Sequence, residues 1–206
     1  MKALILVDIQ NDFVEGGALA VPDGNAVVSI ANRLQKVFPL VVATQDFHPS
    51  DHASFAANHS GSEIGDVIDL YGLLQILWPV HCVQGTAGAA FVDSLDMSAV
   101  QAIFPKGTDP SIDSYSGFFD NGKRKATGLH EYLQEKGVTE VYVVGLATDY
   151  CVKYTALDSA ALGYQTFVVV DACRGVNIQP NDSDDALRVM EAAGIQLVNS
   201  QDILEG

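Results

Sequence analysis

Basic residues are scarce in this chain: 11 Lys and Arg stand against 26 Asp and Glu, a formal net charge of -15. A surface of that sign repels a phosphate backbone, and no basic cluster exceeds Lys123-Arg124-Lys125, so nucleic acid is excluded as a partner. Cysteine is scarcer still. Cys82, Cys151 and Cys173 are odd in number and far apart, so they build no disulfide framework and fit a reducing compartment. Long apolar runs are missing as well. The opening run from Ala3 to Val7 stops at Asp8, too short for a signal peptide or a membrane span, and no later run is longer than a strand. These absences predict a cytoplasmic chain with no membrane partner.

What is present suffices for a full core. A chain of 206 residues, 48% hydrophobic and 18% charged, predicts a single domain over 1–206. Apolar, β-branched runs at 3–7, 40–44, 100–104, 141–144, 167–170 and 195–198 read as six strands. Between them, apolar residues recur at helical spacing from Val27 to Val37 and over 126–136, 152–162 and 184–193. That alternation predicts an α/β fold with a mostly parallel six-stranded sheet and helices on both faces. Residues 46–98 break the rhythm. They are rich in His, Ser, Gly and Asp, with only Ile68 to Leu77 reading as helical, and an excursion of that length in a compact domain is usually functional.

The chemistry gathers where strands end. Around Val143-Val144-Gly145-Leu146-Ala147-Thr148-Asp149-Tyr150-Cys151, a strand gives way to a helix predicted to begin near Asp149 to Cys151. The positive end of a helix dipole lowers a thiol pKa, although buried and inert is the commoner state of a free cysteine. Three other segments supply context. Asp8 follows the first strand, Asp46 and His48 the second, and Lys106 the third, and ligands of parallel sheets bind at that rim. Together Lys106 favours a thiolate, Asp8 carries a proton and Cys151 attacks a carbonyl carbon. A second constellation overlaps the first. Asp46, His48 and His81 match an open divalent site for zinc, manganese or iron, with His52 either a fourth ligand or a turn residue. His59 and His130 read as surface residues, and Cys82 and Cys173 as packed thiols.

Six segments carry a resemblance. Asp-x-Gln-Asn-Asp-Phe at 8–13, Gln-Asp-Phe-His-Pro at 45–49, Trp-Pro-Val-His-Cys-Val-Gln-Gly-Thr at 78–86, Lys-Gly at 106–107, Asp-Ser-Tyr-Ser-Gly-Phe-Phe at 113–119 and Gly-Leu-Ala-Thr-Asp-Tyr-Cys-Val at 145–152 follow one another in order. From Lys2 to about Arg174 the chain resembles the nicotinamidases, within the isochorismatase-like cysteine hydrolases. The resemblance implies a Rossmann-like three-layer α/β/α fold, a triad of Asp8, Lys106 and Cys151, and one divalent metal ion, zinc before iron or manganese, on Asp46, His48 and His81. It further implies a cis peptide between Leu146 and Ala147, an oxyanion hole from the N–H groups of Ala147 and Cys151, and a ring pocket lined by Phe13, Trp78 and Tyr115. The reaction implied is deamidation of nicotinamide to nicotinate and ammonia through a cysteine thioester, in NAD salvage. Tyr150 departs from relatives that carry His before the nucleophile. Other readings are a different small-amide or N-carbamoyl amidohydrolase, or a non-enzymatic metal-binding or redox protein on this fold. A homo-oligomer is left open.

Overall fold

Ala3 to Val7 has no exposed side chain, which is what a central strand covered on both faces requires and why its sequence does not alternate. This strand, β1 (Lys2–Val7), begins a computed structural model that describes residues 1–205. The elements that follow are α1 (Ala26–Leu34), β2 (Leu40–Asp46), β3 (Val67–Leu70), β4 (Leu73–Ile76), β5 (Val100–Lys106), α2 (Leu129–Glu135) and β6 (Glu140–Leu146). A π-helical turn at Thr148–Val152 leads into α3 (Lys153–Ala161), and β7 (Gln165–Arg174), α4 (Asp182–Ala192), β8 (Gln196–Val198) and α5 (Ser200–Leu204) complete the order.

Six strands form one sheet in the order β5-β2-β1-β6-β7-β8, and every neighbouring pair is parallel. Alternate residues of β1 separate two cores. Leu4 and Leu6 pack with Val27, Ala31 and Leu34 of α1, on the side where Ile203 and Leu204 of α5 also lie. Ala3, Ile5 and Val7 pack with Leu129 and Leu133 of α2, Ala156 of α3 and Met190 of α4. Each large apolar side chain so buried contributes roughly 1.5–3 kcal/mol relative to exposure. Because β6 returns to the other side of β1, the direction of winding reverses between these two strands. That crevice, beyond their carboxyl ends, is where such sheets bind ligands. Close approach there requires Gly145: at φ 120° its backbone lies against Val7, and a Cβ would meet the Val7 carbonyl oxygen.

Several expectations change. Ile68 to Leu77 is a β-hairpin, not a helix: β3 and β4 pair antiparallel, with Leu70 opposite Leu73. Tyr71 and Gly72 between them both have positive φ, 55° and 86°, as a two-residue hairpin turn of the right twist requires. The first helix ends at Leu34, leaving Val37 51% exposed rather than in the core. The fifth sheet strand runs on through Cys173, and α5 was not expected from periodicity. Among the described residues, no helix is long and apolar enough to cross a membrane.

Candidate active site

β1, β2, β5 and β6 end side by side, and each delivers a polar group to the same rim. Asp8 leaves β1 at φ 48°, a left-handed conformation that Asp tolerates better than most residues, and its carboxylate is fully buried. Lys106, the last residue of β5, is only 2% exposed. Its Nζ lies 2.9 Å from Asp8 Oδ2, 2.7 Å from Asp46 Oδ1 and 2.8 Å from the Ser114 carbonyl oxygen. The ammonium hydrogens go to Asp46, to the Ser114 carbonyl and to Cys151 Sγ at 3.4 Å, while Asp8 meets the amine as an ion pair. The Asp8 carboxylate lies beside the same amine and raises the Cys151 thiol by its charge. Thr44 Oγ1 donates to Asp8 Oδ1 at 2.7 Å, fixing which carboxylate oxygen faces the lysine.

Electrostatics at this junction reverse one expectation. Cys151 sits in the π-helical turn that opens at Thr148 and continues into α3, so the helix begins where the sequence places it. Burial pushes its pKa well above the usual thiol range, with Lys106 opposing and Asp8 and Asp46 reinforcing. The resting side chain is therefore a thiol. Burial would lower Lys106, but Asp46 and then Asp8 raise it, keeping it an ammonium. Asp8 is raised above the ordinary carboxylate range by burial, with Lys106 opposing and Asp46 reinforcing. Beside a thiol, a carboxylate held in that direction is a stronger base than one in water.

Asp46 faces both ways. Its Oδ1 holds Lys106, while its Oδ2 lies 3.2 Å from His48 Nε2 and 3.5 Å from His81 Nε2. His48 Nδ1 pairs with the Gly107 carbonyl at 2.9 Å and His81 Nδ1 with the Pro79 carbonyl at 2.8 Å. Each carbonyl can only accept, so each Nδ1 carries the hydrogen and each Nε2 turns a lone pair towards Asp46. His48 Nε2 is buried without a hydrogen-bond partner, and the three ligand atoms lie within 4.8 Å of one another. Two lone pairs converging on a carboxylate oxygen suit a cation between them, so the residues present fit a divalent metal. Burial lowers His48, but Asp46 and then Asp113 outweigh it and raise the ring to about 9, so at neutral pH a proton competes with a cation for Nε2. Gly107 keeps this arrangement tight, since a Cβ there would come within 2.3 Å of His48 Cε1.

His52 is different. Its buried ring accepts the Ser54 backbone N–H at Nδ1, 3.2 Å away, which leaves the hydrogen on Nε2 and no free lone pair. It belongs with His48 and Asp113 to a second buried group whose ligand atoms are also within 4.8 Å of one another. His59 and His130 are half-buried and lie outside both groups, the first on the Ala53 carbonyl and the second against Tyr164. Cys82 and Cys173 are buried free thiols.

Above the thiol lies a narrow open cleft. Phe13, Trp78 and Tyr115 all line it, as do Ala147, Cys151, Asp46 and His81. The Leu146-Ala147 peptide at its base is cis. The Tyr115 hydroxyl accepts from Trp78 Nε1 and Gln75 Nε2, each at 3.1 Å, so the hairpin strand β4 reaches the cleft wall through Gln75. Tyr150 stands edge-on to Trp78 with ring centroids 4.9 Å apart and also lines the cleft. Leu19, Asp113 and Val176 complete the wall. Sequence reasoning did not single out these three, nor Thr44 and Gln75. Asp113 stood inside a quoted motif but carries no spacing that marks it, and Thr44 reads only as a strand residue.

Comparison with known proteins agrees with this geometry. The family model described as the isochorismatase domain matches residues 2–202. A nicotinamidase of Escherichia coli strain K12 is 51% identical over 205 residues, covering 98% of this chain and 96% of that protein. The solved nicotinamidase and pyrazinamidase of Acinetobacter baumanii superposes with a TM-score of 0.96 at 44% identity, covering 98% of this chain and 97% of that one. The pyrazinamidase of Pyrococcus horikoshii, solved in complex with zinc, gives 0.78 at 39% identity, covering 96% of this chain and 98% of that one. With the sheet order, the strand-end groups and a family match over nearly its whole length, the chain belongs to the isochorismatase family.

Proposed function

We propose that this chain is a nicotinamidase, one hydrolase domain that converts nicotinamide to nicotinate and ammonia in NAD salvage in the cytoplasm. The observation that carries the reading is Cys151 Sγ and the Asp8 carboxylate gathered on the Lys106 amine beneath an aromatic-walled cleft with a cation-fitting trio beside it. The 51% identical nicotinamidase supports the substrate.

In this reading Asp8 removes the thiol proton as Cys151 Sγ attacks the carboxamide carbon, since the thiol is not ionised beforehand. The N–H groups of Ala147 and Cys151 donate to the developing oxyanion. Asp8 then gives its proton to the departing nitrogen, ammonia leaves, and a thioester remains on Cys151. Water attacks the thioester, Asp8 takes its proton, and the sulfur leaves as the thiol to release nicotinate. Lys106 stays protonated throughout, holding Asp8 in position and compensating its charge. Phe13, Trp78 and Tyr115 sandwich the ring. A divalent ion on Asp46, His48 and His81, zinc before iron or manganese, supplies positive charge and a coordination position for the pyridine nitrogen.

Ammonia release from purified, metal-replete protein tests the function directly. Nicotinamide is expected to turn over, and benzamide, with the same ring shape but no ring nitrogen, to be poorer by roughly 100-fold or more, because the site's polar partner is left unmatched. No release from nicotinamide overturns the assignment; equal rates on both amides overturn the reading of the ring nitrogen.

Metal content is a separate measurement. His48→Ala and His81→Ala are each expected to lose most bound metal in elemental analysis, since two protein ligands hold a divalent ion poorly. His59→Ala, His130→Ala and His52→Ala are expected to retain it, the last because its Nδ1 is already bonded to Ser54. Full occupancy in His81→Ala rejects the trio.

A further inference from the structure

Asp149 lies two residues before the nucleophile, is only 2% exposed and is absent from the cleft wall. Its carboxylate is fully engaged elsewhere. Oδ1 accepts the backbone N–H of Val176 at 2.9 Å and Oδ2 that of Asn177 at 2.7 Å. A buried carboxylate taking two consecutive backbone N–H groups from a segment 27 and 28 residues away is a clamp between the nucleophile turn and the loop after β7. The loop is held from its other side as well. Asn177 has φ 52°, its Oδ1 accepts the Ser183 backbone N–H at 3.0 Å, and Gly175 packs closely enough that a Cβ would meet the Ser183 hydroxyl. Val176 between them is the residue this loop contributes to the cleft.

We propose that Asp149 is a positioning residue for substrate affinity: by fixing the N–H groups of Val176 and Asn177 it seats the Val176 side chain as a wall against the ring of a bound aromatic amide. It makes and breaks no bond in the reaction. The inference rests on the nicotinamidase reading for its substrate, but the clamp itself is a property of the free protein and is measured separately.

Asp149→Asn keeps the shape but turns one acceptor into an NH2 that faces an N–H, so one of the two bonds is lost. KM for nicotinamide is expected to rise roughly tenfold, the scale of one charge-assisted hydrogen bond, with kcat within about threefold of the parent. Amide hydrogen exchange at Val176 and Asn177, followed without substrate, should accelerate by a similar factor. Val176→Ala alone should also raise KM at unchanged kcat, and Asp149→Asn combined with Val176→Ala should be no worse than the larger single effect, because both remove the same wall. A kcat loss at unchanged KM would mean that Asp149 acts on the nucleophile turn and overturns the proposal, as would multiplying KM effects or unchanged exchange. Should Asp149→Asn fail to fold, Val176→Ala still decides: no change in KM removes the wall. Absence of nicotinamide turnover in the parent enzyme instead defeats the substrate reading, while accelerated exchange in Asp149→Asn still reports the clamp.

Discussion

Cys151→Ala is expected to release no ammonia from nicotinamide above background, a loss on the order of 10⁴-fold or more, as removal of a covalent nucleophile produces. Cys82→Ala and Cys173→Ala should keep most of the parent rate. The three thiols share burial but not surroundings. Among the three, Cys151 alone lines the cleft and shares the Lys106 amine with a carboxylate placed to take its proton. Burial pushes Cys173 up to about 12, and burial together with Asp46 and Asp8 pushes Cys82 far higher. Neither has a route to ionisation at neutral pH. An ammonia assay on the three purified variants, with matched melting temperatures, is sufficient. Appreciable turnover by Cys151→Ala would rule out the thioester.

Asp8→Asn carries the second large effect. Asn tolerates the left-handed backbone at φ 48°, and its side-chain oxygen can still accept from Thr44, so the fold should persist. What is lost is the proton acceptor beside a thiol that does not ionise by itself. General acid–base groups contribute roughly 10²- to 10⁴-fold, and a fall in kcat within that range is expected. A fall of less than about tenfold, with the thermal midpoint lowered, would make Asp8 a structural partner of Lys106 instead. The comparison is informative because Asp8 serves both purposes in the geometry, facing Cys151 across the Lys106 amine and pairing with that amine.

Much of this was legible in the amino-acid sequence, for identifiable reasons. The central strands are apolar without alternation because both faces are covered, so Ala3 to Val7 and Val141 to Val144 stand out. Ionisable groups directly after such runs stand out equally, and the structure brings Asp8, Asp46, His48, His81, Lys106 and Cys151 to one place. The hairpin did not stand out, because apolar residues from Ile68 to Leu77 also satisfy helical spacing. The informative signal was Tyr71-Gly72 between two short runs, which only a tight turn explains. Lys106 as a fully packed side chain was illegible, since its partners come from segments around residues 8, 46, 114 and 151. The direction of the thiol shift was illegible for the same reason. A helix start and a lysine argue for ionisation; burial and two carboxylates, visible only in three dimensions, argue more strongly against it. Asp149, read only as a motif letter, needed Val176 and Asn177 beside it to acquire a task.

The double use of Asp46 and of the Lys106-Gly107 dipeptide makes the two centres hard to vary independently. One carboxylate oxygen of Asp46 belongs to the lysine and the other to the histidines, while Lys106 reaches the thiol and the next carbonyl orients His48. Ligand swaps at residue 46 aimed at a different ion would therefore also disturb the amine beside the nucleophile, and any side chain at 107 would push His48 out of line. Redesign of metal preference in this scaffold has its safest entry at His81, whose ring nitrogens meet Asp46 Oδ2 and the Pro79 carbonyl.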